Sequence, residues 1–383
     1  MSRQRLRGLW LRLHRYLGLI LGLPLTLIGL SGSLIVFGWP LDAWLNRELT
    51  RVAVPPGAVT RPLAEIIAAA RAYLPADAAP LDWLMFPQRA DQAFRFSYRL
   101  PASPDSYEIF IDPYTASVVG QRLWGDFAAC CSWHGPIMTV IYRFHDSFWL
   151  GETGQTLVGG IGLIGLVSVL SGIALWWPTP GKWRAALTAK AGASRQRRVF
   201  DLHKLAGSYG FVVFAALLFT GAYMNFPAQS RAIVDRFSPL TTAPDDLHST
   251  PGAGLALSVD AAVAAARRYF PGGKPATLAL PTMPDGVYVV ELFGGDEVTP
   301  TLAGHRLTID QYSGALLHRT DPAHLSAGDR FHAWQFGLHS GQALGLAGQL
   351  LVIACGPVPA ILYVTGFIRW RQKRRARLLA DQR

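Results

Sequence analysis

Residues 13–39 read LHRYLGLILGLPLTLIGLSGSLIVFGW, a stretch composed mostly of Leu, Ile and Gly. From Tyr16 to Leu41 the chain has 26 consecutive residues without Asp, Glu, Lys or Arg. A bilayer core about 30 Å thick requires roughly 20 apolar residues in a helix. The stretch also has a histidine at its start, His14, and a Ser31-Gly32 pair near its end. It therefore predicts a membrane-spanning helix with polar groups at both ends.

Three further runs lack charged residues, at 153–181, 205–230 and 331–368. Four such runs in one chain favour a membrane protein over a soluble protein with buried helices. The first run could also be a signal peptide, because five arginines precede it. Its apolar part is longer than a signal-peptide core, and no small-x-small cleavage site follows it. We therefore predict that it is retained as a helix.

Basic residues are unevenly distributed along the 383-residue chain, whose net charge is +11. Segments 1–15, 182–204 and 369–383 contain 19 of the 36 Lys and Arg residues but 2 of the 25 acidic residues. Such residues collect on the cytoplasmic side of membrane proteins. This places both termini in the cytoplasm and residues of about 45–150 and 231–330 outside it. With no mitochondrial-type leader, the predicted location is a bacterial inner membrane. The runs of basic residues are then explained by their position next to the membrane rather than by nucleic-acid binding.

The two halves of the chain repeat one pattern. His14 and His203 are each followed 18 residues later by a glycine, Gly32 and Gly221. AAARAYLP at 68–75 also matches AAARRYFP at 264–271. We predict a membrane protein of four transmembrane α-helices in two tandem repeats, with two small α+β periplasmic modules. The predicted segments are 1–41 (N-terminus and helix 1), 42–133 (module 1), 134–181 (periplasmic-end segment and helix 2), 182–204 (basic cytoplasmic loop), 205–230 (helix 3), 231–330 (module 2), 331–368 (periplasmic-end segment and helix 4) and 369–383 (basic cytoplasmic tail).

Six of the ten histidines lie near the ends of the predicted helices and form repeat-related pairs: His14 with His203, His145 with His339, and His134 with His332. Two histidines from symmetry-related helices could meet and bind a haem iron through both imidazoles. A single histidine of this kind is more often an interfacial residue bonded to backbone or lipid. Arg15 and Lys204, which follow His14 and His203, could pair with haem propionates.

The first pair is predicted at the cytoplasmic face and the other two at the exterior face, so one haem near each face is the minimum for an electron path. His145 and His339 are the preferred exterior ligands because their register is identical. His134 and His332 could instead surround the site or contact substrate. No catalytic residue is assigned.

Other motifs give weaker indications. Gly160, Gly162 and Gly165 match GxGxxG but lie within a predicted membrane helix, which favours helix packing over dinucleotide binding. Electrons must then come from a separate cytoplasmic donor or a quinol. Tryptophans cluster at the predicted interfaces, as in an aromatic belt, although exterior ones could line a ligand groove. Cys130 and Cys131 are adjacent; a structural role is the simpler interpretation, and a redox or metal role is the alternative.

Several motifs resemble the PepSY-associated transmembrane-helix family, over nearly the whole chain. They are Leu13-His14-Arg15-Tyr16-Leu17-Gly18, Leu202-His203-Lys204, Ser31-Gly32, Thr220-Gly221, Asp112-Pro113-Tyr114-Thr115, Phe144-His145-Asp146-Ser147, Leu338-His339-Ser340-Gly341 and Trp176-Trp177-Pro178. The layout is most similar to inner-membrane ferric-siderophore reductases of the ferrioxamine type. The resemblance implies PepSY-like periplasmic modules, b-type haems held by histidines, and reduction of a hydroxamate-type ferric siderophore with release of Fe(II).

Two other functions remain open at this point. The protein could be a membrane-anchored PepSY binding or regulatory protein without redox activity, in which the histidines are structural. It could also be a haem b electron-transfer subunit that serves a different acceptor. A visible spectrum separates the first of these from the redox functions.

Overall fold

The structure is a computed structural model that describes residues 3–101, 103, 105–126, 130–131, 133–241, 247–251, 255–294 and 304–381. Its helices are α1 (Arg3–Ile35), α2 (Gly38–Leu45), α3 (Arg47–Thr50), α4 (Leu63–Tyr73), α5 (Ile137–Ser147), α6 (Gly151–Trp176), α7 (Trp183–Leu187), α8 (Arg195–Asn225), α9 (Pro227–Asp235), α10 (Val259–Tyr269), α11 (Ala327–Ser340), α12 (Gly345–Cys355) and α13 (Val358–Asp381). Its strands are β1 (Trp83–Met85), β2 (Phe94–Arg99), β3 (Ser106–Ile111), β4 (Val118–Gly125), β5 (Lys274–Ala279), β6 (Val287–Phe293), β7 (His305–Asp310) and β8 (Leu316–Thr320).

The chain divides into two compact units. A helical unit contains Met1–Phe37, Ile141–Ser230 and Gln335–Arg383, and a sheet unit contains Gly38–Val140 and Arg231–Trp334. Four helical segments of the described chain are long and apolar enough to cross a membrane, namely Gln4–Ile35, Gly151–Trp176, Arg195–Asn225 and Gln342–Ala380. Each of them overlaps one of the four uncharged runs, and the protein is a membrane protein.

Small residues allow the long helices of the helical unit to pack closely. Helix α1 packs against α6 and α13, and α8 packs against the same two helices. A Cβ at Gly29 would lie 2.5 Å from the carbonyl oxygen of Gly356, which no side chain tolerates. A Cβ at Gly162 would lie 3.3 Å from the carbonyl oxygen of Leu218. Gly162 and Gly165 of the GxGxxG run therefore lie at a helix-packing surface, whereas Gly160 faces open space.

The sheet unit contains one antiparallel sheet of eight strands in the order β4-β3-β2-β1-β5-β6-β7-β8. Helix α4 precedes strands β1–β4 in the chain, and helix α10 precedes strands β5–β8. The sequence predicted two small modules, but β1 pairs directly with β5 and makes their strands one sheet. Leu84 and Leu278 face each other at this junction and are both fully buried. A single apolar core therefore spans both halves.

The core covers one face of this sheet. Alternate residues of each strand, such as Phe94 and Phe96 of β2, point into the core together with Ile66 of α4 and Ala266 of α10. The period of two follows from strand geometry. The residues between them, including Arg95 and Ser97, lie on the opposite face.

Candidate metal centres

Four of the predicted histidines meet in two pairs within the helical unit. The ring centroids of His14 on α1 and His203 on α8 lie 6.3 Å apart, and the rings are nearly perpendicular at 83°. The centroids of His145 on α5 and His339 on α11 lie 6.0 Å apart, at 55°. Each pair combines the histidines that the two halves of the sequence carry in the same register. We refer to them as the His14/His203 pair and the His145/His339 pair.

Backbone carbonyls fix the tautomer of two of these rings. Nδ1 of His14 donates to the carbonyl oxygen of Ser168 at 3.0 Å, and Nδ1 of His145 donates to that of Ile28 at 2.9 Å. Since a carbonyl oxygen only accepts, the ring proton must be on Nδ1 in both residues. Nε2 then has the lone pair that can bind a metal.

Threonine hydroxyls give the other two rings the same orientation. Nδ1 of His203 lies 2.9 Å from Oγ1 of Thr365, and Nδ1 of His339 lies 2.9 Å from Oγ1 of Thr220. Both hydroxyls donate their proton to a carbonyl of their own helix, that of Ile361 or Ala216. Each hydroxyl oxygen therefore accepts from the ring, and Nε2 is again the unprotonated nitrogen.

One glycine lies against each imidazole. A Cβ placed on the glycine would meet the Cε1 atom of the ring at 2.8 Å for Gly172 and His14, 2.8 Å for Gly32 and His145, 3.0 Å for Gly221 and His339, and 3.5 Å for Gly366 and His203. Each glycine directly follows a Ser or Thr whose hydroxyl contacts the same histidine. The recurring unit is thus a Ser-Gly or Thr-Gly pair on one helix and a histidine on another.

Sequence reasoning found half of these dipeptides. Ser31-Gly32 and Thr220-Gly221 were noted for their spacing from His14 and His203, yet they contact His145 and His339. Ser171-Gly172 and Thr365-Gly366 were missed. Their signal is present in the sequence, because both begin 26 residues after a histidine of the His145/His339 pair. The 26-residue spacing can be recognised in the sequence, but the tertiary packing determines which helix lies against which histidine.

The two pairs fit the ligation of a haem iron by two imidazoles. Two imidazoles that bind one iron through Nε2 at about 2.0 Å each have ring centroids roughly 6 Å apart. Histidine ligands of metals usually donate their second ring nitrogen to a carbonyl or a similar acceptor, as all four do here. Among the described residues, no group of three or more His, Cys, Asp or Glu side chains could hold a metal ion. A cofactor that supplies the remaining ligands itself suits two histidines.

The pairs are well separated along the bundle. His14 and Ser31, which marks the position of the second pair, are 17 residues apart on α1. At 1.5 Å per residue this corresponds to about 26 Å, close to the thickness of a bilayer core. The two pairs therefore occupy opposite ends of the helical unit.

The other predicted site residues have different surroundings. His134 and His332 belong to the sheet unit, and Nε2 of His134 lies 3.3 Å from both carboxylate oxygens of Asp105. Burial, followed by the nearby charge of Arg231, lowers the pKa of His332. Their role as exterior ligands stays a prediction.

The two basic residues predicted near the first pair also differ from each other. Arg15 is half-buried in α1, next to His14. Nζ of Lys204 donates to the carbonyl oxygens of Ala185 and Thr188 and lies 3.2 Å from Asp201. Lys204 would have to leave these partners to reach a propionate. Both assignments remain predictions.

No curated protein matches this chain. The sequence profile of the family described as PepSY-associated TM region matches residues 11–373, which include the sheet unit and all or most of each of the four helical segments. The chain belongs to the PepSY-associated transmembrane family.

Proposed function

We propose that this protein is a haem-containing reductase that carries electrons across the bacterial inner membrane and reduces a ferric siderophore in the periplasm, releasing Fe(II). The observation that carries the proposal is the meeting of four histidines in two pairs, each with Nδ1 engaged as a donor and Nε2 available. Two b-type haems would be held, one by His14 and His203 and one by His145 and His339. A purely structural role would not require the same tautomer in four rings.

The residues of the chain would act on the haems in three ways. When bound between two imidazoles, a haem iron accepts and donates one electron at a time. The Ser or Thr and the carbonyl on Nδ1 orient each ring and raise its basicity. The adjacent glycines leave the space that the imidazole occupies, and the apolar helices exclude water from both sites.

The proposal also includes the topology. The basic segments 1–15, 182–204 and 369–383 support cytoplasmic termini, a periplasmic sheet unit and an unidentified donor in the cytoplasm or a quinol. Equivalent helix and strand orders in residues 63–125 and 259–320 support a tandem repeat with two PepSY-like modules. In this orientation the His145/His339 pair is the exterior one.

A spectrum of the detergent-purified protein tests the proposal directly. Protein expressed with sufficient haem should show the α-band of b-type haem after reduction with dithionite, with about two haems per chain. Anaerobic addition of a ferric hydroxamate should reoxidise it. A colourless protein would favour a PepSY binding or regulatory protein without redox activity. A coloured protein that no ferric siderophore reoxidises would favour an electron-transfer subunit for another acceptor.

A further inference from the structure

A cavity of about 540 Å³ opens on the face of the sheet opposite the core. Its floor is made by β1 and β2, where Trp83, Met85, Arg95 and Ser97 alternate with buried core residues. Arg99 continues the same side of β2. All residues that line the cavity lie between positions 39 and 124, within the sheet unit.

Helix α2 closes one side of this cavity. Asp42 of α2 receives two hydrogen bonds from Arg122 of β4, at 2.8 and 3.1 Å, and Arg122 also donates to Glu108 at 2.7 Å. The indole of Trp39 stacks on that of Trp124 with centroids 5.8 Å apart and planes 9° apart. Buried ion pairs with this many hydrogen bonds hold their partners in one geometry. Trp39 and Trp124, which we refer to as the aromatic wall, are therefore held in place.

The guanidinium group of Arg95 lies at the base of the aromatic wall. The guanidinium carbon of Arg95 is 4.5 Å from the ring centroid of Trp39 and 5.9 Å from that of Trp83. Its Nη1 pairs with Glu108 at 3.2 Å, and its side chain is 11% exposed. Nε is buried and has no hydrogen-bond partner within the described chain. A buried donor without a partner is unfavourable, and an oxygen acceptor bound at this position would satisfy it.

The fold does not require these side chains. In the second half of the sheet, the strand pairing places Thr277, Ala279 and Val289 where the first half has Trp83, Met85 and Arg95. The two halves pair their strands in the same way with and without the tryptophan and the arginine. Trp83 and Arg95 thus have no counterparts in the second half of the sheet, which points to a role in ligand binding.

We propose that this cavity binds the iron chelate, with the hydroxamate oxygens toward Arg95 and Arg99 and the hydrocarbon chain on the indoles of Trp39 and Trp83. Indole faces offer large apolar area, and a guanidinium donates to several oxygens at once. A chelate whose outer surface combines methylene chains with carbonyl and hydroxamate oxygens has both kinds of group. The identification of the ligand as an iron chelate rests on the proposed function.

The test measures binding without electron transfer. The gallium(III) complex of a linear trihydroxamate has the charge and shape of the ferric complex and is not reduced under these conditions. Calorimetric titration of the full-length protein in detergent should show binding, and Trp83→Ala should weaken it at least about tenfold. Trp83→Phe should retain most of the affinity. Arg99→Ala should weaken binding by a smaller factor, since Arg99 is more exposed.

Two matched variants serve as controls. Thr277→Ala changes the position that corresponds to Trp83 in the other half of the sheet, and Trp133→Ala removes an exposed indole that does not line the cavity. Both should bind the gallium complex like the wild type. Unchanged affinity in Trp83→Ala, or no binding to the wild type, would overturn the proposal.

The failure of this proposal is distinguishable from that of the proposed function. If the wild type binds the gallium complex but is not reoxidised by the ferric one, chelate binding in the cavity is supported and the reductase function is wrong. If Trp83→Ala is reoxidised with the wild-type dependence on chelate concentration, the reductase function is supported and chelate binding in this cavity is wrong.

Discussion

The smallest functional unit of this protein is an imidazole held between a hydroxyl and a glycine. In all four instances the ring nitrogen Nδ1 is used as a donor, and the glycine accommodates the edge of the ring. Different elements supply the histidine and the dipeptide, so each unit also joins two helices. The geometry of the histidine pairs therefore depends on helix packing, and small changes in packing should affect the proposed haem sites.

The glycine at 172 should be indispensable for the His14/His203 pair, whereas the one at 366 should not. A Cβ at 172 would lie 2.8 Å from the ring of His14, and one at 366 would lie 3.5 Å from that of His203, an ordinary contact. We expect Gly172→Ala to lose about half of the total haem, and Gly366→Ala to keep it. Haem content per chain by pyridine haemochrome measures this. Since alanine favours helix over glycine by about 1 kcal/mol, neither change should unfold its helix.

Equal haem loss in the two alanine variants would show that steric contact with the ring is not what the glycine provides. Equal retention would show that His14 can move to accommodate a methyl group.

Thr220 should tune the reduction potential of the haem proposed at the His145/His339 pair. Its hydroxyl oxygen accepts from Nδ1 of His339 at 2.9 Å, and removing an acceptor makes an imidazole a weaker electron donor. Fe(II) is then favoured, so Thr220→Val should shift the midpoint potential of one haem to a more positive value. Spectroelectrochemical titration resolves the two haems. Thr26→Val removes a hydroxyl that bonds Gly22 of its own helix, and it should leave both potentials unchanged.

The histidines themselves were predictable because they are polar residues repeated at the ends of apolar runs. Their partners were only partly predictable. The 18-residue spacing from His14 to Gly32 is a distance along one helix, and it gave no indication that Gly32 lies against His145. That contact requires α5 to lie against α1, where Nδ1 of His145 reaches the carbonyl oxygen of Ile28, and α5 is followed by a loop in which Phe148 and Trp149 have positive φ. Such a backbone is rare outside glycine and has no sequence signature here.

At the scale of elements, the repeated Ile-Asp motifs mark a turn at the end of a strand. Oδ1 of Asp112 accepts from the backbone of Tyr114 at 2.7 Å, and Oδ1 of Asp310 accepts from that of Tyr312 at 2.9 Å. Gln311 replaces the proline of the first copy, and its amide donates to three backbone carbonyls, of Met283, Pro284 and Gly286. The two copies thus keep the same carboxylate turn and stabilise the residue after it differently.

The turn at Asp310 should make the sheet unit sensitive to acid. Burial alone would raise the pKa of this carboxyl, but hydrogen bonds from Ser313, Thr250 and Tyr312 outweigh it and hold the pKa below its usual value. A carboxyl with a lowered pKa in the folded state stabilises the protein above its unfolded pKa of about 3.9, and this contribution disappears as the pH falls further. The midpoint of thermal unfolding of the wild type should exceed that of Asp310→Asn at pH 6, and the difference should shrink toward pH 3.

A difference that stays constant over this pH range would contradict ionisation of Asp310 as its cause. Asp285→Asn provides the comparison, because its carboxylate is half exposed and pairs with the exposed His248. This variant should change the unfolding midpoint less at every pH.

The pairing of β1 with β5 shows what the sequence could not predict about the sheet. That each half contains a helix and strands was predictable from periodicity and turn residues, because these are local features. Whether two four-stranded sheets remain separate or join depends on their edge strands. Met85 and Thr277 are neighbours only across this junction, 192 residues apart in the chain. A three-residue strand carries too little pattern to specify a partner at that distance.

At the scale of the whole molecule, the two pairs at opposite ends of the helical unit imply that neither alone connects the two sides of the membrane. Both halves of the chain contribute one histidine to each pair. Removal of any one of the four histidines should therefore break one site and leave the other, because the sites share no ligand and lie about 26 Å apart along α1. His14→Ala or His203→Ala should lose one haem, and His145→Ala or His339→Ala the other.

Proteoliposomes allow the consequence for electron transfer to be measured. With a membrane-impermeant reductant trapped inside and a ferric hydroxamate with an Fe(II) indicator outside, the wild-type protein should produce external Fe(II). His14→Ala and His339→Ala should each reduce this rate to that of empty vesicles, although each retains one haem. With dithionite added from outside, the haem retained in His14→Ala should still be reduced and then reoxidised by the ferric chelate. A His14→Ala variant that transfers electrons across the bilayer at the wild-type rate would show that the His14/His203 pair is not part of the path, and the histidines there would then be structural.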